Sequence, residues 1–462
     1  MAGPAAQGPR GMAEPTMEQV LANGAHTLRQ ASPLADAEPA VRALLCALDY
    51  DKPGDPGPFA AGSEAAHRAW MLQAAAGFAR LFQLAAPDAP GLHVFGAELD
   101  PRRIRPGGTG LRTASSSGVG WSRRAAFEGC VGEGIEFLAQ IETDQDQLVR
   151  ARLADHADAI GPVLAADLAG LIEAAGLPPD APIDWIGGLA LTDGAPVSFP
   201  ADLCLRRGSR HSLIAPAPLS IGCAAGPSFE SAALHALLEL IERDAAAHWW
   251  RGGRRGRLIP LDHPACGVAG ETVAAMRLGR FRRRAWLLDI TTDLGVPCVA
   301  AISVEPDGSG FACGLSAGPG LAAAVRGAIL ELAQMELAHA VVAAKRREGG
   351  DAALNEADRA HLRRRDELDV EGCLLLHPLP PGPVAPDIDP GHALGRLVAY
   401  LAARGLPSYA VDLTRPGLGV PVVRIFCPDL DKEPSRLFGP RLRATIAAHG
   451  GGGMHTGGVP LM

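Results

Sequence analysis

Three times in this chain a glycine is followed thirteen residues later by a glutamate, and three residues after that by a second acid or amide. The sets are Gly120, Glu133 and Glu136; Gly226, Glu239 and Glu242; and Gly318, Glu331 and Gln334. Self-similarity at a fixed offset means that one supersecondary unit has been used again. The spacing predicts three helices on one plan: a glycine-containing turn with an unusual backbone angle, a helix start with Ser122 and Ser228 as N-caps, and a polar pair three turns in. A second repeat lies in the strands. "LLDITTDLGVPCVAAI" (287–302) and "AVDLTRPGLGVPVVRIF" (410–426) both read strand, Asp-Thr turn and Val-Pro-led strand, with Asp289 and Asp412 capping the turns. The expected body is α/β, built from duplicated α/β halves.

Residues three apart on a helix project from one side, so Glu239 and Glu242 lie with His235, while Ala233, Leu234, Leu237, Leu240 and Ile241 form the packing side. A solvated stripe accounts for one such pair. It gives no reason for the pair to stay at the same distance from a glycine in three helices. If the helices converge, five glutamates and one glutamine meet, and like charges in one cleft cannot all stay ionised without compensation. Mg²⁺ supplies it, since it prefers carboxylate oxygens and completes its octahedron with substrate phosphates. Arg243 would meet phosphate oxygens as a planar donor. There is no GxxxxGK[ST] segment and no GxGxxG leading into a helix, so the anion would be held through metals and helix starts.

The 462 residues, 47% apolar and 20% charged, suffice for two or three units with substantial cores. A net charge of -8, with no basic run interleaved with aromatics, makes nucleic acid a poor partner. Nine cysteines with no C-x-x-C pair and no histidine at ligand spacing argue for reduced, mostly buried thiols and against zinc. Cys223, inside a glycine turn, reads as a small buried residue rather than a nucleophile. The opening "MAGPAAQGPRGMAEP" lacks a basic segment followed by an apolar core, and there is no run of about 18 apolar residues. A cytoplasmic protein without membrane association is expected.

Residues 16–86 carry helical periodicity in "MEQVLANGAHTLRQ", "AEPAVRALLCAL" and "AAHRAWMLQAAAGFARLFQLA", which makes 1–91 a small helical region ahead of a body over 92–462. The Pro-rich 377–392 stretch reads as a surface connection and "HGGGGMHTGGVPLM" as a flexible tail. His248, Trp249 and Trp250 are expected to pack at a helix end with the indole N–H groups hydrogen-bonded. Arginines 251, 254, 255 and 257 read as a solvated loop.

Over roughly residues 92–462 these features resemble the YcaO superfamily. "SIGCAAGPSFESAALHALLELIERDAAAHWW" (220–250) is similar to its S-x-G-x-A-A-G turn and E-x-I-E-R-D helix. "SSSGVGWSRRAAFEGCVGEGIEFLA" (115–139) resembles its earlier S-x-G-x-G segment, and "RGAILELAQME" (326–336) its later E-x-x-Q helix. The resemblance implies a YcaO-like fold and an ATP- and Mg²⁺-dependent enzyme that phosphorylates a peptide backbone amide oxygen so that a nucleophile can displace it. By position, it implies that Glu133, Glu136, Glu239, Glu242, Glu331 and Gln334 form the nucleotide site. Glu136, Glu239, Glu242 and Glu331 would be on metal and Arg243 on phosphate, with Ser116, Ser117 and Ser220 as further candidates in the turns.

The chain departs from the family pattern at Val119, where many relatives have lysine, at Ser231 in place of a glutamate, and at Phe137 in place of an arginine. Azoline-forming relatives commonly end in P-x-P-x-P, whereas this chain ends "HTGGVPLM" with Pro460 alone. That leans toward thioamide formation with a TfuA-type partner. Azoline-forming cyclodehydration is the alternative, and a nucleotide-binding but catalytically idle scaffold is the reading from another class. The implied substrate is a ribosomally made precursor peptide or a protein. The first 90 residues look too short and too helical for a fused leader-binding domain, so recognition is expected to need a TfuA-like or leader-binding partner, and a homodimer stays open.

Overall fold

The computed structural model describes residues 46–50, 64–262, 269–279, 282–383, 385, 393–452, 456 and 458–461. The helices read over residues 16–45, and parts of the Pro-rich connection and of the tail, lie outside the described residues.

Helix α1 (Glu64–Ala76) stops at Gly77, and the helical reading that ran on to residue 86 is corrected there. Arg80–Leu84 is strand β1, in which Leu81 is buried, Phe82 and Leu84 are half-buried and Arg80 and Gln83 are exposed; this pattern does not alternate, so pairing with a neighbouring strand decides the conformation. It pairs antiparallel with β2 (His93–Leu99), so the boundary drawn at residue 92 falls within the connection of one hairpin. β3 (Ala114–Gly120) completes this sheet in the order β1-β2-β3 and leads into α2 (Arg123–Ala139), which packs across β2 and β3.

The chain continues through β4 (Leu148–Ala151), α3 (Ala157–Ala174), β5 (Ile183–Ala190), β6 (Pro196–Pro200), β7 (Cys223–Ala225) and α4 (Phe229–Trp250). Then follow β8 (Arg257–Ile259), α5 (Ala269–Arg277), β9 (Arg284–Asp289), β10 (Cys298–Val304), β11 (Ala312–Ala317) and α6 (Leu321–Gly349). The last elements are α7 (Glu356–Glu367), α8 (Ala393–Ala402), β12 (Tyr409–Asp412), β13 (Val422–Phe426) and α9 (Pro440–His449). Two further sheets result, one ordered β11-β10-β9-β8 and one β4-β5-β12-β13-β7, with β6 on β5.

One unit recurs in these sheets: an antiparallel hairpin, a third antiparallel strand beside it, a glycine turn and a helix across the back. Its copies are β1-β2-β3-α2, β12-β13-β7-α4 and β9-β10-β11-α6. The expected pair of halves is therefore corrected to three units. Only two hairpins carry the turn that advertises the repeat. Asp289 Oδ1 accepts from Thr291 N at 2.9 Å, and Thr291 Oγ1 accepts from Cys298 N at 3.0 Å. Asp412 Oδ1 accepts from Thr414 N at 2.9 Å, and Thr414 Oγ1 from Val422 N at 3.1 Å. The β1–β2 hairpin turns through "AAPDAPGL" and lacks that signature.

The shared glycines provide close approach, not an unusual backbone angle. Gly120, Gly226 and Gly318 all lie outside the positive-φ region. A Cβ on them would stand 2.7 Å from Ala126 N, 2.6 Å from Ala232 N and 2.8 Å from Ala324 N respectively, against the first turn of each helix. Ser122 Oγ accepts from Ala125 N at 3.1 Å and Ser228 Oγ from Ser231 N at 3.2 Å, the expected N-caps. α6 is long and apolar enough to span a membrane, yet it backs β10 and β11, and 44% of its apolar window is buried in the protein.

Candidate functional site

The polar pairs of α2, α4 and α6 meet in one cleft, and a ring of hydrogen bonds joins them. The first member of each pair accepts from the third strand of its own unit or from the residue just before it. Glu133 Oε2 takes Ser117 N at 2.9 Å, Glu239 Oε2 takes Gly222 N at 2.9 Å, and Glu331 Oε2 takes Leu315 N at 2.7 Å. The second member reaches the next unit. Glu136 Oε1 accepts from Ala225 N at 2.9 Å, and Glu242 Oε2 from Ala317 N at 3.2 Å. Gln334 Nε2 closes the cycle by donating to Ser117 Oγ at 3.3 Å. The thirteen-residue register thus places three helices so that each braces its neighbour's strand.

Arg243 lies among the acids, with Nη2 3.4 Å from Glu239 Oε1 and Nε 3.5 Å from Glu242 Oε1. Burial pushes the glutamate carboxyls up: Glu133 to about 7, Glu242 to about 8, and Glu136, Glu239 and Glu331 in the same direction. Glu133 stands exposed at the rim, so water screens part of that push, whereas Glu242 is 9% exposed. Burial opposes charge on Arg243, but Glu242, Glu239 and Glu331 outweigh it and hold the guanidinium above its ordinary range. Five carboxylates and one carboxamide, pinned by amides and crowded enough to retain protons, form a hard oxygen donor set. It fits Mg²⁺ and does not suit a soft metal.

The serine candidates divide by pleat. Ser116 is buried with Oγ 3.7 Å from Cys130 Sγ, so it faces the core behind α2 and not the cleft, a correction to its expected role. Ser117, one residue on, faces the cleft and contacts both Glu133 and Gln334. Ser220 is exposed in the turn that presents Gly222 to Glu239, and its carbonyl accepts from Cys223 N at 3.0 Å. His235 packs beside Ala225, whose amide Glu136 holds, and burial lowers its pKa. Burial pushes the Cys223 thiol up to about 12, which keeps it protonated and inert.

Sequence reasoning missed two arginines. Arg424 on β13 donates to the carbonyls of Leu219 and Ile221, fixing the turn before Gly222, and its charge opposes part of the rise that burial imposes on the Glu239 carboxyl. Its signal was visible: strand pairing sets Arg424 where the sister hairpin has Ala300, a lone charge on an apolar strand. Arg206 stacks 4.6 Å over the Phe137 ring and donates to Gln140 Oε1 at 3.0 Å, which sets a cation beside Phe137.

The arginine-rich loop after α4 is corrected at Arg251, Arg254 and Arg255, which the rest of the protein holds, while Arg257 is exposed as expected. Arg251 is fully buried, 3.4 Å from Glu433 Oε2 and 4.0 Å over the Phe438 ring. Arg254 donates to the Ile290 and Thr291 carbonyls, and Arg255 to the His377 carbonyl. Trp249 and Trp250 pack as expected, their indole N–H groups donating to the Leu375 and Val459 carbonyls at 3.0 and 2.8 Å.

Residues 117–431 match the family described as YcaO cyclodehydratase, ATP- and Mg²⁺-binding. A protein of Rhizobium leguminosarum bv. trifolii, described as an uncharacterized protein in the tfuA 3' region, is 28% identical over 333 residues, 66% of this chain and 77% of its own. The fold is similar to a solved heterocyclase in complex with substrate and cofactor, with TM-score 0.67 and 22% identity over 85% of this chain and 55% of that one. It is also similar to YcaO from Methanopyrus kandleri bound with AMPPCP and Mg²⁺, with TM-score 0.54 and 21% identity over 79% and 88% of the two chains. The chain spans about half the length of the heterocyclase it matches. Since the family match takes in all three helices and their paired side chains, the chain belongs to the YcaO family of ATP- and Mg²⁺-binding enzymes.

Proposed function

We propose that this chain uses ATP to activate a backbone amide of a ribosomally made peptide or of a protein, and that with a TfuA-type partner the product is a thioamide. The observation that carries the reading is the closed ring of hydrogen bonds that turns the polar pairs of three helices onto one cleft. Glu136, Glu239, Glu242 and Glu331 would hold Mg²⁺, with Glu133, Gln334 and Ser117 at the rim toward the nucleotide. Bound Mg²⁺ would offset the triphosphate's charge and stabilise the transferring phosphoryl group. The chain's own part is electrostatic and positional. Backbone amides hold one oxygen of each carboxylate still, and the buried acids give up protons as the cation arrives. Arg243 keeps its charge and offers planar donors to phosphate. The amide oxygen would leave as phosphate, displaced by sulfide-level sulfur from a separate donor, an exchange with no change of oxidation state at carbon.

The relative beside tfuA supports the thioamide branch. The family description, which names a cyclodehydratase, favours azoline formation as the second reading. Mass spectrometry of a candidate peptide incubated with the chain, ATP, Mg²⁺ and partner separates them. A thioamide adds about 16 mass units and an azoline removes about 18, from the atoms exchanged after activation. An ATP-independent result, or an unchanged peptide with every partner while the Glu242→Gln variant still binds that partner normally, would leave only a scaffold role.

A further inference from the structure

Beyond the glutamate pair, α4 carries a second polar step, Asp244 and His248, one turn apart and 0% and 5% exposed. They face Asp431, 4% exposed, on the segment after β13. One ligand atom from each of the three lies within 4.8 Å of the others. His248 Nε2 is 3.4 Å from Asp244 Oδ1 and 3.8 Å from Asp431 Oδ2, and this buried nitrogen makes no hydrogen bond to either. The other ring nitrogen is engaged, with Nδ1 2.6 Å from Thr445 Oγ1. The imidazole is therefore oriented by its far side and aims its near nitrogen between two carboxylate oxygens. Such an arrangement is costly to bury unless a cation lies at its centre.

We propose that Asp244, His248 and Asp431 form a binding site for a divalent transition ion, zinc by ligand chemistry, distinct from the glutamate cluster. One imidazole nitrogen with two carboxylate oxygens is a set that zinc takes and Mg²⁺ does not favour. Zinc bonds of about 2.0–2.2 Å give a tetrahedron with edges of about 3.4 Å, the scale of the two separations above. The outer contacts are those of a ligand set held in advance. Asp431 Oδ1 accepts from Gly439 N at 2.8 Å and Oδ2 from Leu442 N at 3.0 Å. Asp244 Oδ1 accepts from Asp431 N at 2.9 Å and Oδ2 from Arg441 Nη2 at 3.0 Å. Arg441 is shared between Asp244 and Asp293, so it does not neutralise the Asp244–Asp431 pair, and the site keeps negative charge for the ion. Asp431 also lines a cavity of 430 Å³ between α3 and the Phe438–Pro440 segment. Cysteine spacing could not reveal this site, because none of its ligands is a cysteine.

The test strips the full chain with chelator, re-equilibrates it with Zn²⁺ in excess Mg²⁺, and counts bound zinc by elemental analysis. About one zinc per chain is expected for the unaltered protein and for Glu242→Gln, with at least tenfold weaker retention in His248→Ala and Asp431→Asn. Co²⁺ in place of zinc should give the visible bands of a tetrahedral centre, lost in the same two variants. If His248→Ala does not fold, the near-isosteric Asp431→Asn decides. The proposal is overturned if the unaltered protein retains neither metal, if both variants retain zinc fully, or if Glu242→Gln is the variant that loses it.

Discussion

Glu242 is 9% exposed, gives one oxygen to Ala317 N, and has Glu239 and Glu331 beside it, so burial and like charge lift its carboxyl to about 8 from an ordinary 4.5. Between those values the folded chain holds a proton that the unfolded chain has released, and stability must fall as pH rises through that window. From pH 6 to 8 the metal-free protein is expected to lose about 2 kcal/mol from this group, read as a drop in Tm in chelator. Glu433, pushed up to about 7 by burial, adds a slope of the same sign, so the diagnostic quantity is the difference between the unaltered chain and Glu242→Gln. Mg²⁺ should restore more stability at pH 8 than at pH 6, because it displaces the proton. Equal slopes in the two proteins would contradict the assignment. Turnover in Glu242→Gln should fall by about 100-fold or more, the size of loss when one pre-organised electrostatic group is removed. At this scale the acids were legible because helical spacing fixes which residues share a side. The pleat of β3, which turns Ser116 inward and Ser117 outward, depends on where the strand starts, and no residue in "ASSSGVG" announces that.

Strand–helix contact in two of the three units is backbone against backbone. A Cβ at Gly314 would stand 2.1 Å from Leu332 N and 2.3 Å from Ala328 O, and one at Gly118 would stand 2.2 Å from Ala126 O and Cys130 N. Gly314→Ala is expected to cost about 3 kcal/mol or prevent folding, since backbone cannot yield as a side chain does. Gly170→Ala in the exposed middle of α3, with nothing within 4 Å, should instead stabilise by about 0.5–1 kcal/mol. Chemical denaturation of the pair checks both, and a neutral Gly314→Ala would mean that β11 and α6 are less tightly apposed than described. Elements that carry their signature locally could be read directly: the three Gly-to-Glu registers, the two Asp-Thr hairpins, the serine N-caps. Elements defined by partners elsewhere in the chain could not. β1 looks helical until β2 pairs with it, and the arginines after α4 look solvated until the carbonyls of residues 290, 291 and 377 are brought to them.

Across the whole molecule, the ring of hydrogen bonds makes occupancy of the cleft a property of three units together. A nucleotide with Mg²⁺ at 100 times its Kd should stabilise the fold by about 2.7 kcal/mol. Amide exchange should slow together at Ser117, Ala225 and Ala317, one position in each unit, and protection confined to one unit would argue against a shared site. The middle unit is also assembled out of order. Its helix α4 ends at Trp250, but the hairpin that completes its sheet, with Arg424 bracing the Leu219–Ile221 turn, begins only at Tyr409. Synthesis proceeds from the amino end, so a growing polypeptide can close its first unit, and later its third, while the central one still lacks two strands. A ribosome-bound chain would then be unable to grip a triphosphate until residues 409–426 have left the exit tunnel and closed the central unit.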